Sequence, residues 1–217
     1  MFRTGEKPFQ PAVYSSVVPL QWDLAYLSTD SETGKDYLRW MNLAMAFANE
    51  NRWHMMRVVI GIVKRLAEKY AGITELECSK PISCHHNYAA YEEHYGKKVW
   101  IHRKGAIRAG DGELGIIPGA MGTYSYLVKG KGNPESFLSC SHGAGRIMSR
   151  HAAKAQFSVD RTINDLKSRG VFLGKQKKLD VSEETRFAYK EIEFVIANEL
   201  DLIEPVKRLK TMAVVKG

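Results

Sequence analysis

Apolar positions recur every three to four residues from 33 to 70, in two series. Tyr37, Trp40, Met41, Ala44, Phe47 and Ala48 form the first, and Trp53, Met56, Ile60, Val63 and Ala67 the second. That spacing puts each series on one face of a helix, and an aromatic and methionine stripe of this kind is expected to pack in a core. The pattern predicts two helices, with Asn49-Glu50-Asn51 either a break or the interior of one long helix. From 75 to 140 the period changes. Glycines cluster, and short β-branched or aromatic runs alternate with them at Val99–His102, Leu114–Ile117 and Tyr124–Val128, which predicts short strands joined by tight turns. Helical spacing returns over 143–170 through Ala152, Ala153, Ala155, Phe157, Ile163 and Leu166. Tyr189–Leu200 predicts a further helix, and Val206–Val215 an extended end. Residues 1–30 are irregular, with prolines at 8, 11 and 19 and an apolar patch at Trp22–Leu27, and Lys175–Lys178 reads as a basic surface loop. The class is α+β. The organisation is a single region over 1–217, made of a helical segment at 33–70, a strand and loop segment at 75–145, and helices with a tail at 146–217.

The composition narrows the partner. Hydrophobic residues are 44% and charged residues 26% of the 217 positions, a balance that supports a packed core rather than a disordered chain. Lysine and arginine outnumber aspartate and glutamate 32 to 24, for a net charge of +8. That excess favours an anionic partner, nucleic acid first, although a mildly basic enzyme would carry it too. Three cysteines, Cys78, Cys84 and Cys140, argue against a secreted disulfide framework. No apolar run is long enough for a bilayer, and the first residues carry no signal-peptide pattern, so the expectation is a cytoplasmic protein with no membrane partner.

Three segments carry candidate chemistry. In Ser139-Cys140-Ser141-His142-Gly143-Ala144-Gly145-Arg146, glycines would let backbone N–H groups approach a phosphate. An expected helix start just beyond would add partial positive charge. Arg146 and Arg150 could supply forked contacts, and an imidazole nitrogen can attack phosphorus. The alternative is an ordinary glycine-rich turn with an incidental histidine. In Cys84-His85-His86-Asn87, two imidazoles could serve a metal, but neighbours on a strand face opposite ways. Cys78, Cys84 and His94 lack the paired spacing of a zinc site. The third segment joins His102-Arg103-Lys104-Gly105-Ala106 to Pro118-Gly119-Ala120-Met121-Gly122-Thr123-Tyr124-Ser125, a run of cations followed by a turn where backbone can approach a ligand. The chain has no phosphate-loop, nucleophile-elbow or H-E-x-x-H motif, and no K-x-D-G lysine-nucleophile motif of the classical nucleic-acid ligases.

In order and spacing, C-H-H-N-Y at 84–88, H-R-K-G-A at 102–106, G-I-I-P-G-A-M-G-T at 115–123, S-C-S-H-G-A-G-R-I-M-S-R at 139–150 and the terminal V-V-K-G resemble the RtcB family of RNA-splicing ligases, from about Trp22 to Gly217. The resemblance implies an RtcB-like mixed fold. It also implies a GTP- and Mn²⁺-dependent ligase joining an RNA 3′-phosphate or 2′,3′-cyclic phosphate to a 5′-hydroxyl, with His142 as the guanylylated nucleophile. Nucleotide contacts would fall on His86, Asn87, Pro118, Gly119, Ala120, Met121, Ser125, His142, Gly143, Ala144, Gly145 and Lys216. His86 would also bind manganese, and Tyr189 would flank the guanine. Arg103, Arg146 and Arg150 are assigned to phosphate or RNA by their charge and position. The partners implied are tRNA halves or broken RNA, and an archease-type activator.

The resemblance falls on the C-terminal half of the family. The D-x-G-C-G, N-H-F and H-S-G-S-R-G strings, which carry most of the manganese ligands, do not occur in this chain. Three readings follow: one half of a split ligase working with a separate N-terminal half chain, a truncated ligase, or a protein that keeps nucleotide or RNA binding without ligation. An unrelated metal-dependent phosphoesterase using His85, His86 and His94 is the other alternative. A chain lacking the N-terminal half would expose apolar surface and associate.

Overall fold

A computed structural model describes residues 27–79, 81–174 and 180–215. The chain divides into two compact units, residues 1–60 and 61–217. The boundary falls inside α1 (Glu32–Ala71), a single helix of 40 residues. The Asn49-Glu50-Asn51 segment is therefore helix interior, and one helix replaces the two expected. It begins where the Ser31 hydroxyl accepts the Gly34 N–H at 3.0 Å, an N-terminal cap. The only buried residue of α1 is Gly34. Trp40 is 62% exposed and Phe47 72%. Of the stripe expected to pack in the core, Tyr37, Trp40, Ala44, Phe47, Met56 and Val63 are exposed, Met41, Ala48, Trp53, Ile60 and Ala67 are half-buried, and none is buried. Its helical period is correct, but period reports which side chains share a face, not what covers that face. No described helix is long and apolar enough to cross a membrane.

The second unit carries the strands. The antiparallel hairpin β1 (Asn87–His94) and β2 (Lys97–Lys104) turns at Tyr95 and Gly96, both at positive φ, 52° and 71°, as a two-residue hairpin turn requires. β3 (Ala106–Arg108) pairs antiparallel with β6 (Ser139–Ser141). β4 (Leu114–Pro118), β5 (Ser125–Gly130) and β8 (Ile203–Leu209) form an antiparallel sheet in the order β4-β5-β8. β7 (Phe172–Gly174) runs parallel to β9 (Ala213–Val215). The fold is α+β, as its sequence pattern predicts. Alternation does the sorting: Ile117, Tyr126 and Val128 point inward and join Ile107, Cys140, Ala144, Ile192, Ile196 and Ile203 in the main core, the two-residue period of a half-buried sheet.

The predicted helical stretch 143–170 becomes α2 (Arg150–Gln156) and α3 (Val159–Ser168), capped by the Ser149 and Ser158 hydroxyls. Tyr189–Leu200 contributes only α4 (Ile192–Ala197), with Tyr189 just after a short 3-10 turn. Lys175–Lys178, Trp22–Tyr26 and Lys216 lie outside the described residues.

One buried ion pair braces this unit. In β2 the alternation turns Arg103 inward, where it is 1% exposed. Its guanidinium donates to both Glu92 carboxylate oxygens at 2.6 and 2.9 Å, to the Phe137 carbonyl at 3.0 Å, to the Ser139 hydroxyl at 2.9 Å and to the Tyr88 hydroxyl at 3.2 Å. The sequence reading placed Arg103 on phosphate or RNA. Its donors are instead engaged inside the protein, and a side chain this buried cannot reach an RNA backbone. The Arg103 guanidinium holds the Glu92 carboxyl at about 2, below its ordinary 4.5, with His94 assisting.

A carboxyl whose folded pKa is depressed adds stability above its unfolded pKa and loses it as pH falls toward the folded one. For Glu92 that window runs from about pH 4.5 down to about 2. Its contribution is about 3 kcal/mol for a pair this shielded. Urea melts across pH 7 to 2 should show that loss in the native protein. Glu92→Gln, which leaves Arg103 buried without its counter-charge, should be less stable by about 3–5 kcal/mol at pH 7 and flatter below pH 4.5.

Candidate active site

β6 ends at Ser141, and the next residue, His142, stands beside the end of the β1–β2 hairpin. Gly105, the residue after β2, connects the two sides. It donates its N–H to the His86 carbonyl at 3.1 Å and accepts the His142 N–H at 3.4 Å. Its φ is +79°, and a Cβ built there would lie 3.6 Å from His142 Cε1. A glycine is required by the backbone angle rather than by space. With both main chains tied to Gly105, the rings of His86 and His142 stack, centroids 5.4 Å apart and planes 12° from parallel. His142 is half-buried and His86 exposed. On the opposite side of β6, Glu199 accepts the Ser141 N–H and, at 2.9 Å, its hydroxyl, fixing the residue before His142.

The loop after His142 leans on the turn after β4. The Ala144 N–H bonds the Pro118 carbonyl at 3.0 Å, and Gly145 accepts from the Lys190 N–H at 3.0 Å. Among the described residues neither Gly143 nor Gly145 donates its N–H. Gly145 takes φ +71°. Two such N–H groups just after a histidine are the raw material of an anion-binding loop. The expected helix start is not part of it. Arg146 makes an isolated β-bridge with Tyr189, and α2 begins only at Arg150, so Gly143–Gly145 does not run into a helix.

Next to this loop lies a pocket of about 230 Å³, lined by Gly119, Ala120, Met121, Ser125, Glu184 and Tyr189, with Gly122, Thr211 and Val214 completing the wall. Four residues predicted as nucleotide contacts from the third segment therefore share one cavity. Gly119 makes the turn possible: a Cβ there would come within 2.1 Å of the Tyr124 carbonyl oxygen. Tyr189 is held from three sides. Its hydroxyl donates to Glu184 at 2.7 Å and accepts from Arg146 at 2.8 Å, and the Arg146 guanidinium sits 4.7 Å over the ring. Burial and the Glu184 carboxylate push its phenol up to about 12, so it stays a neutral donor near neutral pH. Burial likewise pushes the Cys140 thiol up to about 12, which removes it as a nucleophile.

Arg146 also donates to the Met148 and Glu183 carbonyls, so it serves Tyr189 and the loop. Arg150 remains the exposed cation, 3.5 Å from Glu184. Asn87 and Pro118 are exposed at strand ends. His85 packs edge-on against Tyr88, and His94 is buried on Glu92 and Phe137. His85, His86 and His94 therefore do not converge, and no group of three or more His, Cys, Asp or Glu side chains able to hold a metal occurs among the described residues. His86 alone does not fit a manganese site. Sequence reasoning missed Glu184, Glu199 and Thr211. Glu184 lies five residues before Tyr189, in a segment with no glycine or histidine to draw attention.

The family model for tRNA-splicing ligase RtcB matches residues 11–217. The chain is 41% identical over 195 residues to the RNA-splicing ligase RtcB of Escherichia coli (strain K12), covering 90% of this chain and 47% of that protein. It is 35% identical to the tRNA-splicing ligase RtcB of Thermococcus kodakarensis, covering 90% and 44%, and 37% identical to that of Nanoarchaeum equitans, covering 90% and 45%. The chain spans less than half the length of these relatives.

Substituting Gly105 isolates the histidine pair. Gly105→Ala meets no steric wall but must hold a positive φ, which costs about 1 kcal/mol. Its expected signature is a urea midpoint lowered by that amount. In imidazole ¹H–¹⁵N spectra, the His86 and His142 resonances should move while those of His151 and His54 stay in place.

Proposed function

The chain belongs to the RtcB family, and on that premise we propose that it is the nucleotide-accepting part of an RNA ligase that acts through a guanylylated His142. The observation that carries this reading is the stacked His86–His142 pair, tied through Gly105 and set beside a pocket floored by Tyr189. In this proposal the guanine of GTP occupies that pocket against Tyr189, and the phosphates approach the N–H groups of Gly143 and Gly145.

The chemistry runs in three displacements. A nitrogen of His142 attacks the α-phosphorus of GTP; the P–N bond forms and pyrophosphate leaves. An oxygen of an RNA 3′-phosphate then attacks the same phosphorus, the P–N bond breaks and the RNA end carries GMP through a new anhydride. Finally a 5′-hydroxyl attacks the RNA 3′-phosphorus, a phosphodiester forms and GMP departs. A 2′,3′-cyclic end is first opened to the 3′-phosphate. His86 aligns the nucleophile by stacking, Glu199 fixes its strand and Arg150 offers charge to phosphate.

The family resemblance carries Mn²⁺ with it, and the donors described here do not make a manganese site. No step is assigned to the ion. The reading that fits both facts is a ligase site completed by a polypeptide bearing the D-x-G-C-G and N-H-F segments, in tRNA splicing or RNA repair. The missing ligand cluster also favours a second reading, a nucleotide- or RNA-binding protein that forms no adduct.

Incubation with α-³²P-labelled GTP and Mn²⁺, with and without such a polypeptide, tests the proposal. The expected result is an acid-labile label that requires the second chain and is abolished by His142→Ala. A label that survives His142→Ala, or no label even with the second chain, would overturn it and leave the binding reading.

A further inference from the structure

Beyond the nucleotide pocket the same turn opens on a second cavity, of about 290 Å³, lined by Gly122, Thr123, Tyr124, Arg169, Lys210 and Thr211 among others. Gly122 and Thr211 line both cavities, so the two are contiguous around one turn. The walls are fixed. The Thr211 hydroxyl donates to the Thr123 carbonyl at 2.6 Å, and Gly122 holds φ +85° over Leu166.

The electrostatics of this cavity are one-sided. Among the described residues no carboxylate lines it. Arg169 reaches Asp165 only at 3.6 Å, and that carboxylate is already engaged by Arg186 at 3.0 and 3.1 Å. One negative charge thus faces two guanidiniums. Lys210 makes no ion pair among the described residues. Arg208 lies 4.3 Å over the Tyr124 ring, adding a third cation at the edge. Its size is near the lower end for a small-ligand pocket, and its lining of cations, hydroxyls and one aromatic ring is the combination that follows a single nucleic-acid strand.

We propose that this second cavity seats the terminal ribose-phosphate of single-stranded RNA, delivering the strand end past Gly122 to the neighbouring site. The inference rests on the ligase reading for its direction. Arg169 and Lys210 supply the phosphate contacts, and Thr123 with Thr211 forms the bridge between the two cavities.

The test is fluorescence anisotropy of a 5′-labelled single-stranded dodecamer RNA, bearing either a 3′-phosphate or a 3′-hydroxyl, titrated with the full chain at several salt concentrations. The native chain should prefer the 3′-phosphate. The double variant Arg169→Ala/Lys210→Ala should bind about tenfold more weakly and lose that preference, with a salt slope shallower by about 0.7 for each phosphate contact removed. Lys210→Arg should retain binding, and circular dichroism checks that each variant is folded. Unchanged RNA affinity in a folded double variant would overturn the proposal. So would a higher GTP requirement for adduct formation with RNA binding intact, which would give the cavity to the nucleotide's own phosphates. Adduct formation in the presence of the second polypeptide is scored separately: its absence there would count against the ligase reading, while the RNA titration would still decide the cavity.

Discussion

The site hangs on the buried guanidinium of Arg103. It joins the β1–β2 hairpin, through Glu92 and Tyr88, to the Phe137–Ser139 segment that enters β6. The hairpin ends on the Gly105 side and β6 ends on His142, so the geometry of the histidine pair depends on how these two pieces dock. A buried ion pair earns little net stability against an apolar replacement, because desolvation offsets most of its attraction. Its value here is directional. Five donors in a plane satisfy a carboxylate, a carbonyl and two hydroxyls at fixed angles, and they fix the docking in one register. Phe137 and Leu138 both take φ of 52°, a conformation disfavoured for such residues, and the hydrogen bond from Arg103 to the Phe137 carbonyl helps hold it.

Much of this was legible in the sequence, and the failures are instructive. The short strands follow from β-branched runs between glycines, and the period of two could have shown that Arg103 faces opposite to His102 and Lys104 on β2. Read as a charge triplet, His102-Arg103-Lys104 looks like a phosphate contact; read as a strand, it has one residue pointing inward. The identity of the inward partner was not available, since Glu92 meets Arg103 only through the register of the hairpin. Periodicity in α1 was sound, but period does not state coverage. Tyr37, Trp40, Phe47, Met56 and Val63 are exposed and the other members of the two series are at most half-buried, so the apolar side of that helix is not a core position among the described residues. Across Gly143–Gly145 the residue types pointed to an anion loop. The helix start was misplaced because Arg146 bridges to Tyr189 and delays α2 to Arg150.

The electrostatics of the two cavities differ in a way that composition alone hides. An overall charge of +8 says nothing about where cations stand without counter-charges. Around the first cavity the Glu184 carboxylate is part of the wall and faces Arg146 and Arg150, and the character of that wall is set by this carboxylate, Tyr189 and the backbone. Around the second, a single aspartate is shared by two arginines while Lys210 and Arg208 add to the excess. A wall that carries a carboxylate suits a neutral base, whose recognition depends on shape and hydrogen bonds, and a wall of cations suits phosphate, whose recognition depends on charge. The division follows from where the carboxylates stand rather than from the number of basic residues.

The same division bears on what this chain could do by itself. Catalysis requires interactions that strengthen as charge develops in the transition state. The described residues offer a positioned imidazole, a clamped tyrosine and backbone N–H groups, all of which act on binding and alignment. Charge neutralisation at an α-phosphorus calls for a divalent ion or several convergent cations. The exposed cation beyond the loop is Arg150, which pairs with Glu184 at 3.5 Å and is 70% exposed at its side chain, and therefore strongly screened. In the proposed reaction, stacking of His86 on His142 would orient the nucleophile without lowering the barrier at phosphorus. On the proposed reading such an arrangement favours capture of a nucleotide over its turnover, so reactivity at His142 should depend more on what supplies positive charge at phosphorus than on any further refinement of the pocket.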